Sequence, residues 1–388
     1  MNKLTNYKKI LNEFTNKLNE KYIKRNRKLN FSDILYGSCL KTLNHCSFEK
    51  AIYILNKNRV KNISSSSFKK KYSMIKDTDL KDVNKNLLNF IYNDKLKTRI
   101  LSVDGSYLNT LKILEKDGLK NPSESHTNYT NSIISGIYDV EKKIIINYNH
   151  SISKNEREAF IQQLEYVNIN DILIFDRGYF SNALIDILNS KKINYIFRMK
   201  KSSMYVKNLI ENKLESCCYD ENNIKFKIVN YKINDVNEEY YLFTTLIDKS
   251  IEELKDLYKK RWSIETHFKE LKYTTSLKEI NSKSLNNLIK EIYMHNFVYI
   301  SYYFFNDCIK DNNKSYELNH KICLEIFIND ILLILIYNNK YKQQIIHIIN
   351  ILPKTYKHKN DDRHFKRESK IKVSKWYIRS KNKKGLSL

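Results

Sequence analysis

The sequence lacks a hydrophobic run long enough to cross a bilayer. Its longest apolar run of note, ILLILIY at Ile331 to Tyr337, is far shorter than the roughly 20 residues that a membrane-spanning helix needs. The N-terminal residues, MNKLTNYKKILNEF, also lack the apolar core and the small-residue cleavage site of a secretory signal peptide. We therefore expect an intracellular protein that is not embedded in a membrane.

The patterns of a zinc site are also missing. None of the 6 cysteines belongs to a C-x-x-C pair, and the 9 histidines form no cluster that would complete a metal site. We interpret the cysteines as reduced and structural. They are Cys39, Cys46, Cys217, Cys218, Cys308 and Cys323.

Positive charge, in contrast, is in excess. The 69 Lys and Arg residues against 43 Asp and Glu give a net charge of +26, which predicts attraction to a polyanion such as DNA, RNA or an anionic membrane surface. The chain has only 6 glycines and 2 prolines but many Lys, Asn, Ile and Tyr residues, a bias typical of an AT-rich genome. Because that bias raises the lysine count independently of function, the positions of the charges are more informative than their sum.

The first 95 residues have a helical pattern. A predicted helix at Ser47 to Lys57 is followed by a polar turn and then by a basic helix at Phe68 to Ile75, which carries Lys69, Lys70 and Lys71. This is the outline of a helix-turn-helix DNA reader, although any small helical bundle has a similar outline. We favour contact with DNA because the second helix is basic.

From residue 98 the pattern changes to an α/β alternation. Two strands are predicted to end in an acid, Asp104 after RILSV and Asp176 after DILIF. The other predicted core elements are strands at Ser132–Val140, Lys143–Tyr148 and Asn194–Met199, and helices at Asn155–Tyr166 and Ser181–Asn189. Three strands followed by helix, strand, helix and strand is the order of a ribonuclease-H-like α/β core.

The remaining residues divide into three parts. Residues 200–248 alternate like antiparallel strands and predict a β-rich insertion before one long helix at Ile251 to Ser276. Residues 284–350 are helical and apolar. Residues 354–384 form a basic tail with Tyr356, Trp376 and Tyr377.

One polar strip on the predicted long helix is the first candidate for chemistry. Tyr258, Arg261, Glu265 and Lys272 fall within roughly 60° of one another on a helical projection, beside an apolar stripe. The strip has two interpretations, a cleft at the edge of a buried face or an exposed helix with i,i+4 ion pairs. The two acids at strand ends favour the cleft, because Asp104, Asp176 and Glu265 would then meet. Three carboxylates repel one another unless hard divalent cations such as Mg²⁺ or Mn²⁺ bind them.

These motifs resemble the DDE transposases of the bacterial insertion-sequence IS-four family. The Y-x2-R-x3-E-x6-K signature is satisfied without a gap by Tyr258, Arg261, Glu265 and Lys272. The other matching motifs are VDGS at Val103–Ser106, DRGYFS at Asp176–Ser181, YIFRMK at Tyr195–Lys200 and LFTTLID before the long helix. The resemblance spans residues 98 to about 276 well and the N-terminal helices loosely.

The resemblance implies a mechanism and the roles of the residues in it. Asp104, Asp176 and Glu265 would be the catalytic, metal-binding triad for two Mg²⁺ or Mn²⁺ ions. Water would cut at the transposon end, the freed 3′-hydroxyl would form a hairpin, and the reopened end would join target DNA. The residues that would bind DNA phosphates are Tyr258, Arg261, Lys272, Arg198 and Lys200, although a solvated strand end explains Arg198 and Lys200 about as well. The β-rich insertion would lie over the cleft, with Tyr240 and Tyr241 available to stack on a displaced base, although for either one singly a core position in a strand is the better explanation.

We therefore expect a cut-and-paste transposase that acts on transposon ends and target DNA as a homodimer, in the cytoplasm with the nucleoid if the host is bacterial. Two alternatives stay open, a nuclease of the same fold that cuts without joining and a non-catalytic DNA-binding derivative. The expected domains are a helical DNA-binding domain (1–97), a catalytic core (98–199 and 249–280), a β-rich insertion (200–248), and C-terminal helices with the basic tail (281–388).

Overall fold

The structure, a computed structural model, describes most of the chain. The described residues are 2–23, 29–44, 46–59, 62–92, 98–120, 129–152, 155–221, 224–233, 238–274, 277, 280–309, 316–338, 340–352 and 356–358. The predicted basic tail therefore lies outside them except for a short strand at its start. No helix in these residues has the length and apolar character needed to span a membrane. The five cysteines whose side chains are described are free, as predicted.

Five helices precede the sheet, which confirms the helical prediction for this part of the chain. Their ends follow local capping chemistry, because the Ser64 side chain, for example, accepts a hydrogen bond from the backbone N–H of Ser67 at the start of α4. The helices are α1 (Asn2–Tyr22), α2 (Phe31–Asn44), α3 (Phe48–Arg59), α4 (Ser65–Met74) and α5 (Asp77–Ile91).

Eight strands form one sheet in the order β3-β2-β1-β4-β5-β8-β7-β6. The first five are β1 (Ile100–Leu111), β2 (Tyr129–Asp139), β3 (Ile144–Ser151), β4 (Ile172–Phe175) and β5 (Asn194–Arg198). β1, β4 and β5 are parallel to one another, whereas β2 and β3 are antiparallel neighbours of β1. The five predicted core strands are therefore present, but β1 continues well past the residue at which it was expected to end.

Two helices lie between the core strands, the first connecting β3 to β4 and the second connecting β4 to β5. They are α6 (Glu156–Ile161) and α7 (Asn182–Ser190). α6 is shorter than predicted, since a 3-10 turn at Leu164–Tyr166 replaces its expected second half. α7 begins after Ser181, whose side chain accepts a hydrogen bond from the Leu184 N–H.

The predicted β-rich segment lengthens the same sheet, so the expectation that it lies over the cleft is wrong. It consists of β6 (Ser216–Glu221), β7 (Ile224–Ile233) and β8 (Glu238–Thr244), preceded by a helix that was not predicted, α8 (Met204–Glu211). β8 pairs antiparallel with β5, with Phe197 opposite Phe243. Backbone hydrogen bonding therefore continues from the parallel strands into this segment.

The prediction of one long helix at Ile251 to Ser276 is wrong in one respect. The chain forms two helices there, α9 (Ile251–Lys259) and α10 (Trp262–Thr274). The remaining elements are α11 (Leu285–Ile309), β9 (Tyr316–Leu318), α12 (His320–Ile326), α13 (Leu332–Tyr337), α14 (Tyr341–Ile351) and β10 (Tyr356–His358).

The two faces of the sheet pack against different helices. Residues of β4 alternate between the faces, as the period of a strand requires. Leu173 and Phe175 join the core formed with α1–α5 and α11, whereas Ile172 and Ile174 join a second core with α9 and α10. The sheet thus separates the helical bundle from the two helices that carry the predicted polar strip.

Candidate active site

Asp104 and Asp176 are neighbours at one end of the parallel strands. The register pairs Val103 with Phe175, and each acid directly follows one of these residues. By the alternation along both strands, their side chains point to the face that α9 and α10 cover. β1 continues beyond Asp104 because β2 still pairs with it there, with Asp104 opposite Gly136. Asp104 therefore marks the end of parallel pairing rather than the end of its strand.

Arg261 connects Asp104 with Glu265. Its Nη2 lies 2.8 Å from Glu265 Oε1, and its Nη1 lies 3.8 Å from Asp104 Oδ2. The guanidinium is held in place because Arg261 is only 5% exposed and its carbonyl oxygen accepts a hydrogen bond of 3.2 Å from the Ser102 hydroxyl. Glu265 on α10 and Asp104 on β1 therefore share one buried cation.

A tight turn separates α9 from α10 and contains Arg261. The backbone N–H groups of Arg261, Ser263 and Ile264 each donate to the carbonyl three residues earlier, at 3.0 to 3.2 Å. This is 3-10 spacing rather than α-helical spacing. The four signature residues consequently do not share one continuous helix, since Tyr258 is on α9, Arg261 is in the turn, and Glu265 and Lys272 are on α10.

The acids concentrate negative charge in this cleft. Burial is the main reason that the pKa of Asp104 is raised to about 6, and the charges of Glu156 and Glu265 add to it. Burial by itself would lower the pKa of Arg261, but its negative surroundings outweigh burial and raise it. Arg261 is therefore a permanent cation beside Asp104, an acid that loses its proton reluctantly.

Tyr258 and Arg198 lie on the β8 side of the same cleft. Tyr258 is 5% exposed, its hydroxyl has no hydrogen-bond partner among the described residues, and its electrostatic neighbours include Asp176, Arg261 and Arg198. The Arg198 guanidinium stacks on Tyr240 at 4.0 Å from the ring centroid. A buried phenol hydroxyl that has no partner among the described residues can donate a hydrogen bond to an oxygen atom of a ligand.

A family model described as the transposase DDE domain matches residues 95–301, which is more than half of the chain. The chain belongs to the transposase DDE domain family. No curated protein matches it. Among solved structures, a cryo-EM structure of the piggyBac transposase synaptic complex with hairpin DNA is similar over 95% of this chain and 86% of that chain, with 12% sequence identity and a TM-score of 0.43. A TM-score this low carries no argument, so the family assignment rests on the sequence match.

The DDE domain contains every predicted site residue, but the structure brings only some of them together. Lys272 is half-buried on α10, about 10 Å further along the helix axis than Glu265. Lys200 is exposed two residues beyond Arg198. Tyr241, predicted with Tyr240 as a stacking residue, is only 2% exposed, and its hydroxyl donates to Glu239.

Sequence reasoning missed a fourth acid in this DDE domain. Glu156 begins α6, and its carboxylate lies against the backbone of Gly105, directly after Asp104. Burial raises the pKa of Glu156, and the charge of Asp176 raises it further. The available signal was a glycine directly after the first acid, which allows a close approach by another group.

Sequence reasoning also missed a buried polar chain that holds the helix bearing Glu265. The His267 Nε2 lies 2.9 Å from the Tyr148 hydroxyl on β3, and its Nδ1 lies 3.0 Å from the Tyr299 hydroxyl on α11. Burial lowers the pKa of His267 to about 3, so the ring is neutral and can donate to one tyrosine while it accepts from the other. α10 is thereby fixed to the sheet on one side and to α11 on the other.

Metal chemistry in the DDE domain would need oxygen ligands, and the cleft offers them. Asp104, Asp176 and Glu265 provide carboxylates, the donors that Mg²⁺ and Mn²⁺ prefer. Among the described residues, no three His, Cys, Asp or Glu side chains already converge on one ion position. The Arg261 guanidinium instead supplies positive charge to Asp104 and Glu265. The donor set fits a hard divalent cation, and two of the three acids, Asp104 and Glu265, already share the Arg261 guanidinium.

Proposed function

We propose that this chain is a cut-and-paste DNA transposase of the IS-four type, with Asp104, Asp176 and Glu265 as its catalytic carboxylates. The observation that carries the proposal is the contact of one buried guanidinium with both Asp104 and Glu265, while Asp176 adjoins Asp104 in the strand register. The three acids come from distant parts of the chain, and buried carboxylates that lie near one another favour a cation that neutralises them. Membership of the transposase DDE domain family supports the same role.

The three carboxylates are proposed to hold two Mg²⁺ or Mn²⁺ ions. When bound, the ions would activate water or a 3′-hydroxyl and stabilise the oxygen that leaves. Two ions are proposed because the reaction has an attacking and a leaving oxygen on the same phosphorus. The buried position of Asp104 suits this purpose, since a carboxylate with a raised pKa gains most from a nearby cation.

The basic and phenolic groups around the acids are proposed to bind DNA. Arg261 and Tyr258 lie beside the carboxylates, where their donors would meet a phosphate oxygen. Arg198 and Lys200 would contact the DNA backbone beside β5. Lys272 would bind a phosphate further along α10 and not at the reacting phosphorus, because of its separation from Glu265.

The proposed reaction begins with hydrolysis at each transposon end. The freed 3′-hydroxyl then attacks the opposite strand to give a hairpin, water reopens it, and the end joins target DNA. Each step is an in-line phosphoryl transfer, for which the chain must bind the phosphate, orient it and stabilise its charge. Pairing of two ends would require two copies of the chain, and we propose a homodimer for that reason.

The sheet supports a ribonuclease-H-like core as the scaffold of this site. The order β3-β2-β1-β4-β5, with β2 and β3 antiparallel and the other three parallel, suits such a core. We retain as a proposal the division into an N-terminal DNA-binding domain (1–97), a catalytic core (98–199 and 249–280), a β-rich insertion (200–248) and a C-terminal part (281–388). In that division the exposed Lys70 on α4 would face DNA, whereas Lys69 forms an ion pair with Glu49 and Lys71 donates to the carbonyl of Leu29.

The test compares Asp104→Asn, Asp176→Asn and Glu265→Gln with Asp256→Asn, a matched change at an exposed acid on α9. The substrate is linear DNA that carries the inverted repeats flanking the gene. We expect the three site variants to lose cleavage while still binding the ends, and Asp256→Asn to cut like the wild type. Cleavage at the wild-type rate by any site variant would refute the assignment of that residue.

A second assay separates the transposase from its two alternatives. The wild type is given pre-cut ends with free 3′-hydroxyls and a supercoiled target plasmid. Joined products support the transposase. Cleavage in the first assay without joining in this one would indicate a nuclease. DNA binding without cleavage or joining would indicate a non-catalytic derivative.

A further inference from the structure

Glu156 lies closer to Asp104 than the sequence indicates. A Cβ atom added to Gly105 would lie 2.6 Å from the Glu156 Cδ and 2.7 Å from its Oε1. Such distances are far shorter than any real contact, so the carboxylate occupies the space where a side chain at position 105 would begin. Because Gly105 has no side chain, the carboxylate of Glu156 can lie against the residue that directly follows Asp104.

Glu156 is an electrostatic neighbour of both strand-end acids. Burial is the main reason that the pKa values of Asp104 and Glu156 are raised, and the charge of Glu156 adds to the first while the charge of Asp176 adds to the second. The hydroxyl of Tyr179, a residue that is 1% exposed, interacts with the Glu156 carboxylate and lowers the pKa of that group. No Lys or Arg in the described part of the chain forms an ion pair with Glu156. A half-buried carboxylate that adjoins two more acids without a cation of its own is costly unless a ligand neutralises it.

Helix capping does not account for Glu156. The Asn155 side chain already accepts hydrogen bonds from the backbone N–H groups of Arg157 and Glu158, so the start of α6 is capped without it. Glu158 lies in the same first turn and is exposed. It already provides the negative charge that stabilises the N-terminal end of a helix. Helix capping therefore does not explain the inward position of Glu156, where its carboxylate meets Tyr179 and the acids.

An independent observation indicates that a ligand enters this cleft. The Tyr258 hydroxyl is buried, has no hydrogen-bond partner among the described residues and lies near Asp176 from the α9 side. An unpaired buried donor next to a group of acids fits a ligand that carries both a cation and oxygen atoms, such as a metal ion with its water molecules or a phosphate.

We propose that Glu156 is a fourth metal-binding carboxylate, which binds a divalent ion at the Asp104–Asp176 pair either directly or through a water molecule. This inference rests on the proposed function, because it takes Asp104 and Asp176 as metal ligands. Glu156 would add negative charge and an oxygen donor on the α6 side of the ion, opposite to Arg261. Gly105 serves the site by leaving room for that donor.

The test measures Mn²⁺ affinity in the absence of DNA, by electron paramagnetic resonance of the free ion, for the full chain and its variants. We expect Glu156→Gln to weaken Mn²⁺ binding by about 10-fold or more, since losing a supporting ligand typically costs that much. Glu158→Gln, the matched change on the same turn of α6, should bind like the wild type. Asp176→Asn should lose most of the binding.

A second variant tests the geometry without removing a carboxylate. Gly105→Ala would push the flexible end of the Glu156 side chain away from Asp104, so we expect it also to weaken Mn²⁺ binding with little change in melting temperature. Wild-type affinity in Glu156→Gln together with loss in Asp176→Asn would overturn the fourth ligand and leave the Asp-Asp-Glu site standing. Wild-type affinity in both variants would overturn the whole metal site.

Discussion

The β1–β4 strand pair carries oppositely charged residues at one end and two acids at the other. At one end, Arg99 and Asp171 directly precede Ile100 and Ile172, which are partners in the register. The Arg99 Nε and Nη2 donate to the two Asp171 oxygens at 2.9 and 2.5 Å, and Nη2 also donates to the carbonyl of Tyr166. At the other end, the equivalent neighbours are two acids.

This difference separates a charge pair that is neutralised within the protein from a group of like charges. The Arg99–Asp171 pair is buried, bidentate and supplied with further hydrogen bonds, which is the arrangement that makes a buried ion pair tolerable. Asp104, in contrast, has like charges around it and a guanidinium at 3.8 Å. The same pair of strands therefore neutralises charge at one end and concentrates acids at the other, where we propose that the chemistry occurs.

The largest effect should come from breaking the structural pair. Asp171→Asn leaves the Arg99 guanidinium buried without a countercharge, and we expect the free energy of unfolding in urea to fall by about 3 to 5 kcal/mol. Asp104→Asn removes like-charge repulsion and should not lower it at neutral pH. As a control, the double variant Arg99→Met/Asp171→Leu should recover much of the loss. Equal destabilisation by Asp171→Asn and Asp104→Asn would contradict the distinction between the two ends.

The second effect is a pH dependence of the free energy of unfolding, which arises from Asp104. The pKa of Asp104 is about 6 in the folded protein, above its ordinary value near 4, so folding favours the protonated form. The free energy of unfolding should therefore decrease as the pH rises from about 4 to about 6, by about 3 kcal/mol from this residue. Urea unfolding in EDTA across this range measures it.

The control for this pH dependence is Asp104→Asn, which cannot ionise. Its free energy of unfolding should lack the decrease and should exceed that of the wild type above about pH 6. Saturating Mn²⁺ should also remove the decrease in the wild type, because the ion stabilises the ionised carboxylate. Identical pH profiles for the wild type and Asp104→Asn would show that folding does not raise the pKa of Asp104.

A third, smaller effect concerns the polar chain that fixes the helix of Glu265. His267→Phe keeps a ring but removes the hydrogen bonds of His267 with the hydroxyls of Tyr148 and Tyr299, which should cost about 1 to 3 kcal/mol of stability. We also expect slower DNA cleavage at temperatures where the variant is folded, since α10 loses both attachments. Adding Tyr148→Phe should restore part of the stability, and His347→Phe at an exposed site on α14 should be neutral.

The acid pair was predictable from sequence because a strand has a simple period. Two apolar runs that each end in an acid, on strands that become parallel neighbours, must bring those acids together if the register aligns, as it does for Val103 and Phe175. The extension of β1 past Asp104 was not predictable from that run, since it depends on pairing with β2. The alternating residues of β6–β8 predicted strands, but no local pattern indicates which sheet they join.

Two features of the site depend on contacts that a local pattern does not contain. The turn between α9 and α10 has neither Gly nor Pro, so Tyr258 to Lys272 reads as one helix, and only the packing of Arg261 under Ser102 distinguishes the turn. Glu156 has the appearance of an ordinary acid in the first turn of a helix. Its approach to Gly105 joins residues from different elements, and no spacing rule encodes it.

The smallest expected effect distinguishes exposed cations near the acid end. Lys200→Ala should reduce the slope of log Kobs for DNA against log salt by about 1, because one phosphate contact releases about one counterion. Lys201→Ala is the matched control, since the neighbouring Lys201 amino group already lies 3.4 Å from a Glu239 carboxylate oxygen. We expect its slope to stay close to that of the wild type. If both variants changed the slope equally, Lys200 would contribute only to the general positive charge, and the DNA path proposed beside β5 would lose its support.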